Sequence, residues 1–397
     1  MIKQFSPWPS YSAEEIDRVK DVLSSNKVNY WTGDECRKFE KEFAAWSDSE
    51  YAVSLANGTL ALDIAFKALG IGDGDEVIVT SRSYIASITS IINANATPVF
   101  VDVDPSTQNI TPENISVAIN KKTKAIVCVH LAGWPCDMDE IKSIASDNNL
   151  FIIEDCAQAH GAKYKGKSVG SIGDIGCWSF CQDKIMTTGG EGGMVTTNNK
   201  SLWLKMWEYK DHGKSYEAVY NRKHPDGFRW IHESFGTNWR MTEMQGAIGR
   251  IQLHNMADWT KIRNENAKIL TDKFSKFSDE DGIIRIPQLI SEEGCIHAFY
   301  KYYVFVQEKN LKTNWSRDRI ISEISSKGVP CMHGSCSEVY LEKAFDNTNF
   351  RPEQRLPVAK QLGETSIVFL VHPTLTKQEM DEIAEIATSV FDKAKVK

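Results

Sequence analysis

Short apolar runs rich in β-branched residues recur through the first half of the chain, each followed by a stretch with helical spacing. Glu76 to Thr80 (EVIVT), Pro98 to Val103 (PVFVDV), Lys124 to His130 (KAIVCVH) and Phe151 to Asp155 (FIIED) have this form. A strand with one wet face alternates apolar and polar side chains. A run that is apolar nearly throughout has to be covered on both faces, which is the habit of parallel sheets. Thr59 to Leu69, Tyr84 to Ala94, Pro112 to Ile119 and Met138 to Ser146 supply the covering helices. The pattern predicts an α/β fold with a mostly parallel central sheet. Ligands of such sheets gather at the carboxyl ends of the strands.

The rhythm then changes. Gly176 to Phe180 and Gly192 to Thr197 read as shorter strands flanking a glycine-rich turn, and a long amphipathic helix follows Met241 and runs towards Lys273. Tyr300 to Gln307 reads as a strand, Asp318 to Lys327 as a helix and Gln378 to Lys393 as a final helix. A chain of 397 residues exceeds what one core usually holds. We expect a large domain over residues 1–255 and a smaller C-terminal α/β domain over 256–397.

The formal net charge is −7, and the longest basic cluster is Lys121, Lys122 and Lys124. A nucleic-acid binder needs a basic face, so no nucleic-acid partner is expected. The nine cysteines form no CxxC pair and several sit in apolar runs, a pattern of reduced thiols in a cytoplasm. The N-terminus has no signal-peptide pattern, and no apolar run reaches the length of about eighteen residues that spans a bilayer, so no membrane association is expected.

Three elements carry chemistry. Asp155 closes an apolar strand, which puts its carboxylate at the ligand end of the sheet, although an Asp there also commonly caps the next helix. Lys184 follows a strand of apolar and aromatic residues and precedes Gly189, Gly190, Gly192 and Gly193, where glycine permits close backbone approach to a ligand. Asn57-Gly58-Thr59 stands directly ahead of a helix, and exposed amides at a helix start favour phosphate. Taken together they match the needs of pyridoxal 5'-phosphate (PLP): an amine for a Schiff base, an acid beside the pyridine nitrogen and a phosphate cradle.

With these residues in view, the chain resembles a known family. Glu154-Asp155-Cys-Ala-Gln158-Ala-His160-Gly, the Ser179-x-x-x-x-Lys184 spacing, the Gly-Glu-Gly-Gly that follows and Gly236-Thr-Asn238-Trp-Arg240-Met-Thr-Glu are similar to the DegT/DnrJ/EryC1/StrS sugar aminotransferases. The resemblance implies the PLP-dependent transferase fold of type I, aspartate aminotransferase-like. It implies a Schiff base between PLP and Lys184, Asp155 at the pyridine nitrogen, Gln158 near the phenolic oxygen and Tyr84 stacked on the ring. Gly58, Thr59 and Ser179 would contact the phosphate. Asn238 would reach the phosphate of a neighbouring subunit, making a homodimer with shared sites. The implied reaction moves the amino group of L-glutamate, released as 2-oxoglutarate, to a nucleotide-linked 4-keto-6-deoxy sugar. A product of the dTDP-4-amino-4,6-dideoxyglucose type, destined for O-antigen or other surface polysaccharide, is the expectation; amination at carbon 3, or action as a PLP-dependent sugar dehydratase of the same family, is the alternative.

The chain departs from the family pattern around the lysine. Ile185 stands where Asn is usual, an additional glycine precedes Glu191, and Cys181-Gln-Asp183 leads into Lys184. Rival chemistries leave weaker traces. Cys128, His130 and Cys136, or Cys331, His333 and Cys336, lack zinc-finger spacing and no HExxH occurs, so no metal is expected. A non-catalytic relative should have lost Lys184 or Asp155. The family's PLP-dependent sugar dehydratases include a subgroup with histidine at the lysine position, so Lys184 favours transamination.

Overall fold

The computed structural model describes residues 5–288 and 293–396. Its main sheet has seven strands, in spatial order Tyr51–Leu55, Gly193–Thr197, Ile175–Ser179, Phe151–Asp155, Thr123–Val129, Glu76–Thr80 and Thr97–Val101. The last five of these run parallel, and Gly193–Thr197 pairs antiparallel with both of its neighbours. The order and the single reversed strand give the mostly parallel sheet that the apolar runs predict.

Alternation across the strands feeds two cores. Val77, Val79, Val127 and Ile153 pack on one face, while Ile78, Ile126, Cys128 and Ile152 pack on the other. Period-two side chains on a sheet buried on both sides thus produce the uninterrupted apolar runs of the sequence. The covering helices lie at Gly58–Leu69, Ala86–Asn93, Pro112–Ala118 and Met138–Asn148.

Two boundaries differ from expectation in ways that matter. Tyr84 was expected inside a helix, but the helix begins at Ala86, and Tyr84 stands ahead of it with its side chain 69% exposed. The strand expected from Tyr300 spans only Tyr302–Val306. The amides of Ala298 and Tyr300 are diverted to the carbonyls of Gly133 and Ala132, tying this segment to the large sheet.

The long helix spans Glu243–Phe274 and starts with a capping box between Thr242 and Gln245. Its first half passes so close to the helix Glu35–Trp46 that a Cβ on Gly246 would lie 2.9 Å from the Cys36 amide nitrogen. Its last turns bury Ala267, Leu270 and Phe274 in a separate core with Phe5, Val304, Phe369 and Phe391. That core backs an antiparallel sheet in the order Ile284–Arg285, Tyr302–Val306, Ser366–Phe369, Cys331–Met332. Among the described residues no helix is long and apolar enough to cross a membrane.

Candidate active site

A cavity of about 600 Å³ opens at the carboxyl ends of the parallel strands, where Val129, Asp155 and Ser179 terminate three of them. Turns on either side complete its wall with Asn57, Gly58, Thr59, Ser83, Tyr84 and Ser87. Gln158, Cys181, Asp183, Lys184 and Glu191 also line it. The fold therefore brings Gly58, Thr59, Tyr84, Asp155, Gln158, Ser179 and Lys184 into one space. Asn238 is the exception. It is exposed and lies outside this wall, on a segment bridged to Asp211.

Asp155 is fixed from two sides. Its Oδ2 accepts from Ser87 Oγ at 2.7 Å, and its Oδ1 accepts from the Ala157 amide at 3.1 Å. Ser87 in turn lies 2.9 Å from the Ser83 hydroxyl. The neighbouring Glu154 points to the opposite face, as the pleat requires. There it accepts from the amides of Gly170, Ile172 and Gly173 and lies 2.9 Å from His130 Nε2. Burial opposes the charge of Glu154, but His130 and these amides hold its carboxyl below the usual range.

The floor of the cavity is backbone. Asn57 caps the helix by accepting from the Leu60 amide at 3.0 Å, leaving the first-turn amides of Gly58 and Thr59 without intrahelical partners. A Cβ on Gly58 would stand 2.5 Å from Ser179 Cβ, and one on Gly193 only 2.2 Å from the Asn57 carbonyl oxygen. Only glycine permits this approach, which leaves an anion seat at a helix start.

Lys184 enters from the loop after Ser179, and its carbonyl accepts from the Trp8 indole at 2.8 Å. Its side chain is 16% exposed, with Nζ 3.8 Å from an Asp183 oxygen and 5.2 Å from the Tyr300 ring centre. The Tyr300 hydroxyl donates to the other Asp183 oxygen. Burial, reinforced by the Asp183 charge, pushes the Tyr300 phenol far above its ordinary value, so it stays a donor. Burial opposes the Asp183 charge, but Lys184, the Tyr300 hydroxyl and Lys301 hold its carboxyl below the usual range. Beneath the site, burial drives His160 down to about 3, helped by the charges of Lys184 and Arg263, so the imidazole is neutral. The additional glycine of the loop has a structural use. Gly189 and Gly190 adopt φ of 88° and 119°, turning the chain so that Glu191 reaches the cavity.

Ser83, Ser87, Trp8 and Tyr300 escaped the sequence reading, and Asp183 entered it only as a departure from the family pattern. Ser87 had a local signal, three positions after Tyr84 at helical spacing. Trp8 and Tyr300 arrive from segments far from Lys184 in the chain and had none.

Two of the candidate metal ligands, His130 and His333, are engaged with neighbouring side chains. His130 uses Nε2 towards Glu154 and accepts from the Cys136 amide with Nδ1 at 3.0 Å. Among the described residues, His130, Glu154 and Cys156 bring ligand-type atoms within 4.8 Å, but Glu154 is already occupied by three amides. His333 Nε2 lies 3.1 Å from Asp318 at the surface.

The donor set fits PLP. An amine, a buried carboxylate, an exposed aromatic ring and an amide seat that a single Cβ would block line one cavity. Comparison with known proteins agrees. The family profile of the DegT/DnrJ/EryC1/StrS aminotransferases matches residues 9–388. The chain is 44% identical to GDP-perosamine synthase of Escherichia coli O157:H7 over 95% of each protein. It is 33% identical to dTDP-3-amino-3,6-dideoxy-alpha-D-galactopyranose transaminase of Aneurinibacillus thermoaerophilus, over 94% of each. The crystal structure of an aminotransferase from Psychrobacter cryohalolentis superposes with a TM-score of 0.96 at 64% identity, covering 98% of this chain and 99% of that one. A sugar aminotransferase of Streptococcus pneumoniae in its PLP form superposes at 0.86 with 26% identity, over 99% of both chains. The chain belongs to the DegT/DnrJ/EryC1/StrS aminotransferase family and is a PLP-dependent aminotransferase of fold type I.

Proposed function

We propose that this enzyme transfers the amino group of L-glutamate to the keto carbon of a nucleotide-linked 4-keto-6-deoxy sugar. The observation that carries the reading is that Lys184 and Asp155 line one cavity, with Tyr84 exposed at its wall. When bound, PLP supplies an aldehyde carbon and an electron-accepting ring. Lys184 would hold the cofactor covalently, and its Nζ would serve as the base that moves a proton at the reacting carbon. Asp155, oriented by Ser87, keeps a proton on the ring nitrogen. The amides of Gly58 and Thr59, with Ser179, seat the phosphate. Tyr84 would stack on the ring and Gln158 would flank it, held by the Ala132 amide 2.9 Å from its Oε1.

The relation to GDP-perosamine synthase makes a GDP-linked keto sugar the first acceptor to test. A second reading, amination at carbon 3, is supported by relatives named for that position. Purified enzyme with ¹⁵N-glutamate and a panel of GDP-, dTDP- and UDP-linked keto sugars should yield one labelled amino sugar by mass spectrometry. No labelled product from any of them would overturn the assignment.

The active unit we propose is a homodimer. The exposed Asn238, standing away from its own cavity, supports donation to a partner's phosphate seat. Asn238→Ala should lose cofactor on gel filtration where the wild type keeps it; a monomer with tightly held cofactor would contradict the shared site. Nine free cysteines support a cytoplasmic setting, and surface polysaccharide is the proposed destination of the product. We retain the division near residue 256 as a proposal.

A further inference from the structure

Lys184 is flanked by two groups that the mechanism above does not use. Asp183 precedes it, half open to the cavity with its side chain 59% exposed, and places one oxygen 3.8 Å from the amine. Tyr300 belongs to the segment leading into the smaller sheet, is buried, and donates its hydroxyl to the second Asp183 oxygen. Its ring faces Lys184 Nζ at 5.2 Å and Lys301 Nζ at 4.9 Å. The frame behind Tyr300 is rigid. Its amide donates to Ala132, and Arg263 Nη1 donates to the carbonyl of Phe299 at 3.2 Å. Ala132 also donates to Gln158, so one short backbone segment ties Tyr300 to the cavity wall.

We infer that Asp183 and Tyr300 are positioning residues for Lys184, acting as a pair with opposed effects on the charge state of its nitrogen. The inference rests on the covalent role proposed for Lys184. A carboxylate beside a nitrogen favours its protonated form. The Tyr300 hydroxyl ties up part of that carboxylate's charge and turns one oxygen away from the amine. The pair holds the side chain in the cavity while moderating the pull of Asp183 on its proton. Other charged groups share these surroundings. Asp155 and Glu191 line the cavity, and Lys301 approaches Asp183 and Lys184 from the smaller sheet. Cys181 lines the cavity as well, and His160 lies beneath the site as a neutral ring. None of these hydrogen-bonds Asp183 in the way Tyr300 does, so the two substitutions below isolate the pair.

Asp183→Asn removes a negative charge at 3.8 Å and keeps the shape of the side chain. Tyr300→Phe keeps the ring against both lysines and releases the carboxylate. The readout is the pH midpoint of the visible absorption change of the holoenzyme, taken without substrates. We expect Asp183→Asn to shift it down and Tyr300→Phe to shift it up, each by roughly half to one pH unit for a partly solvated charge. Thermal unfolding of both variants shows that they fold. Midpoints that stay within 0.2 units of wild type (about 0.3 kcal/mol), or that move together, would overturn the inference. Borohydride treatment of the wild type separates the two ideas. A cofactor trapped on another residue would sink the role of Lys184 itself, whereas trapping on Lys184 with unshifted variants sinks only the pair.

Discussion

Asp155 and Lys184 reach the same cavity on different supports. Asp155 is the last residue of a buried strand and is oriented by Ser87, so its position is set by the sheet. Lys184 sits on a loop pinned by the Trp8 indole. Asp155→Asn keeps the shape and removes the charge that would hold a proton on the ring nitrogen. We expect kcat to fall by about 10²-fold or more, the scale of one positioned proton-transfer group. Ser87→Ala removes only one hydrogen bond to a charged oxygen, worth roughly 1.5–3 kcal/mol. It should cost less activity than Asp155→Asn, and steady-state kinetics on the two variants would expose the reverse order. Both principal residues were legible in the sequence because a strand end and a glycine-rich turn leave local marks. Tyr300 was not legible, because its contact with Asp183 depends on the diversion of residues 298–300 to the large sheet.

At the level of elements, the parallel strands were legible because burial on both faces writes an uninterrupted apolar run. The edge strand Tyr51–Leu55 and the reversed strand Gly193–Thr197 show how that signal weakens. The second was read from its turn and the first was not read at all, since Tyr-Ala-Val-Ser-Leu is short and mixed. The N-terminal helices Ala13–Ser24 and Glu35–Trp46 were also missed; each is amphipathic but charged on most of its surface. The helix start at Gly58 is the element on which cofactor retention should turn. Gly58→Val adds atoms where even a Cβ would lie 2.5 Å from Ser179. Overpacking of this kind costs about 1–3 kcal/mol. Strain of that size on the seat of the phosphate should raise the cofactor dissociation constant by about fivefold or more. Unchanged retention in a folded Gly58→Val protein would show that the phosphate sits elsewhere.

Across the whole molecule, two cores meet along the long helix, and the N-terminal segment joins both. Phe5 packs in the smaller core, while Trp8 holds Lys184 and stacks with His372 at 5.9 Å. Burial lowers His160 to about 3, and burial with the Arg263 charge lowers His372 to about 4. In the unfolded chain both titrate near 6.5. Between those values the unfolded state binds protons that the folded state refuses, so stability rises with pH across that window. The melting temperature should fall on going from pH 7 to pH 5; a flat profile would contradict the buried neutral rings. The covalent site at position 184 holds the account together, and reduction tests it directly. Holoenzyme treated with borohydride, digested and analysed by mass spectrometry should carry a reduced pyridoxyl group on Lys184 and on no other lysine. A modification at another lysine, or none on protein that holds the cofactor, would contradict it.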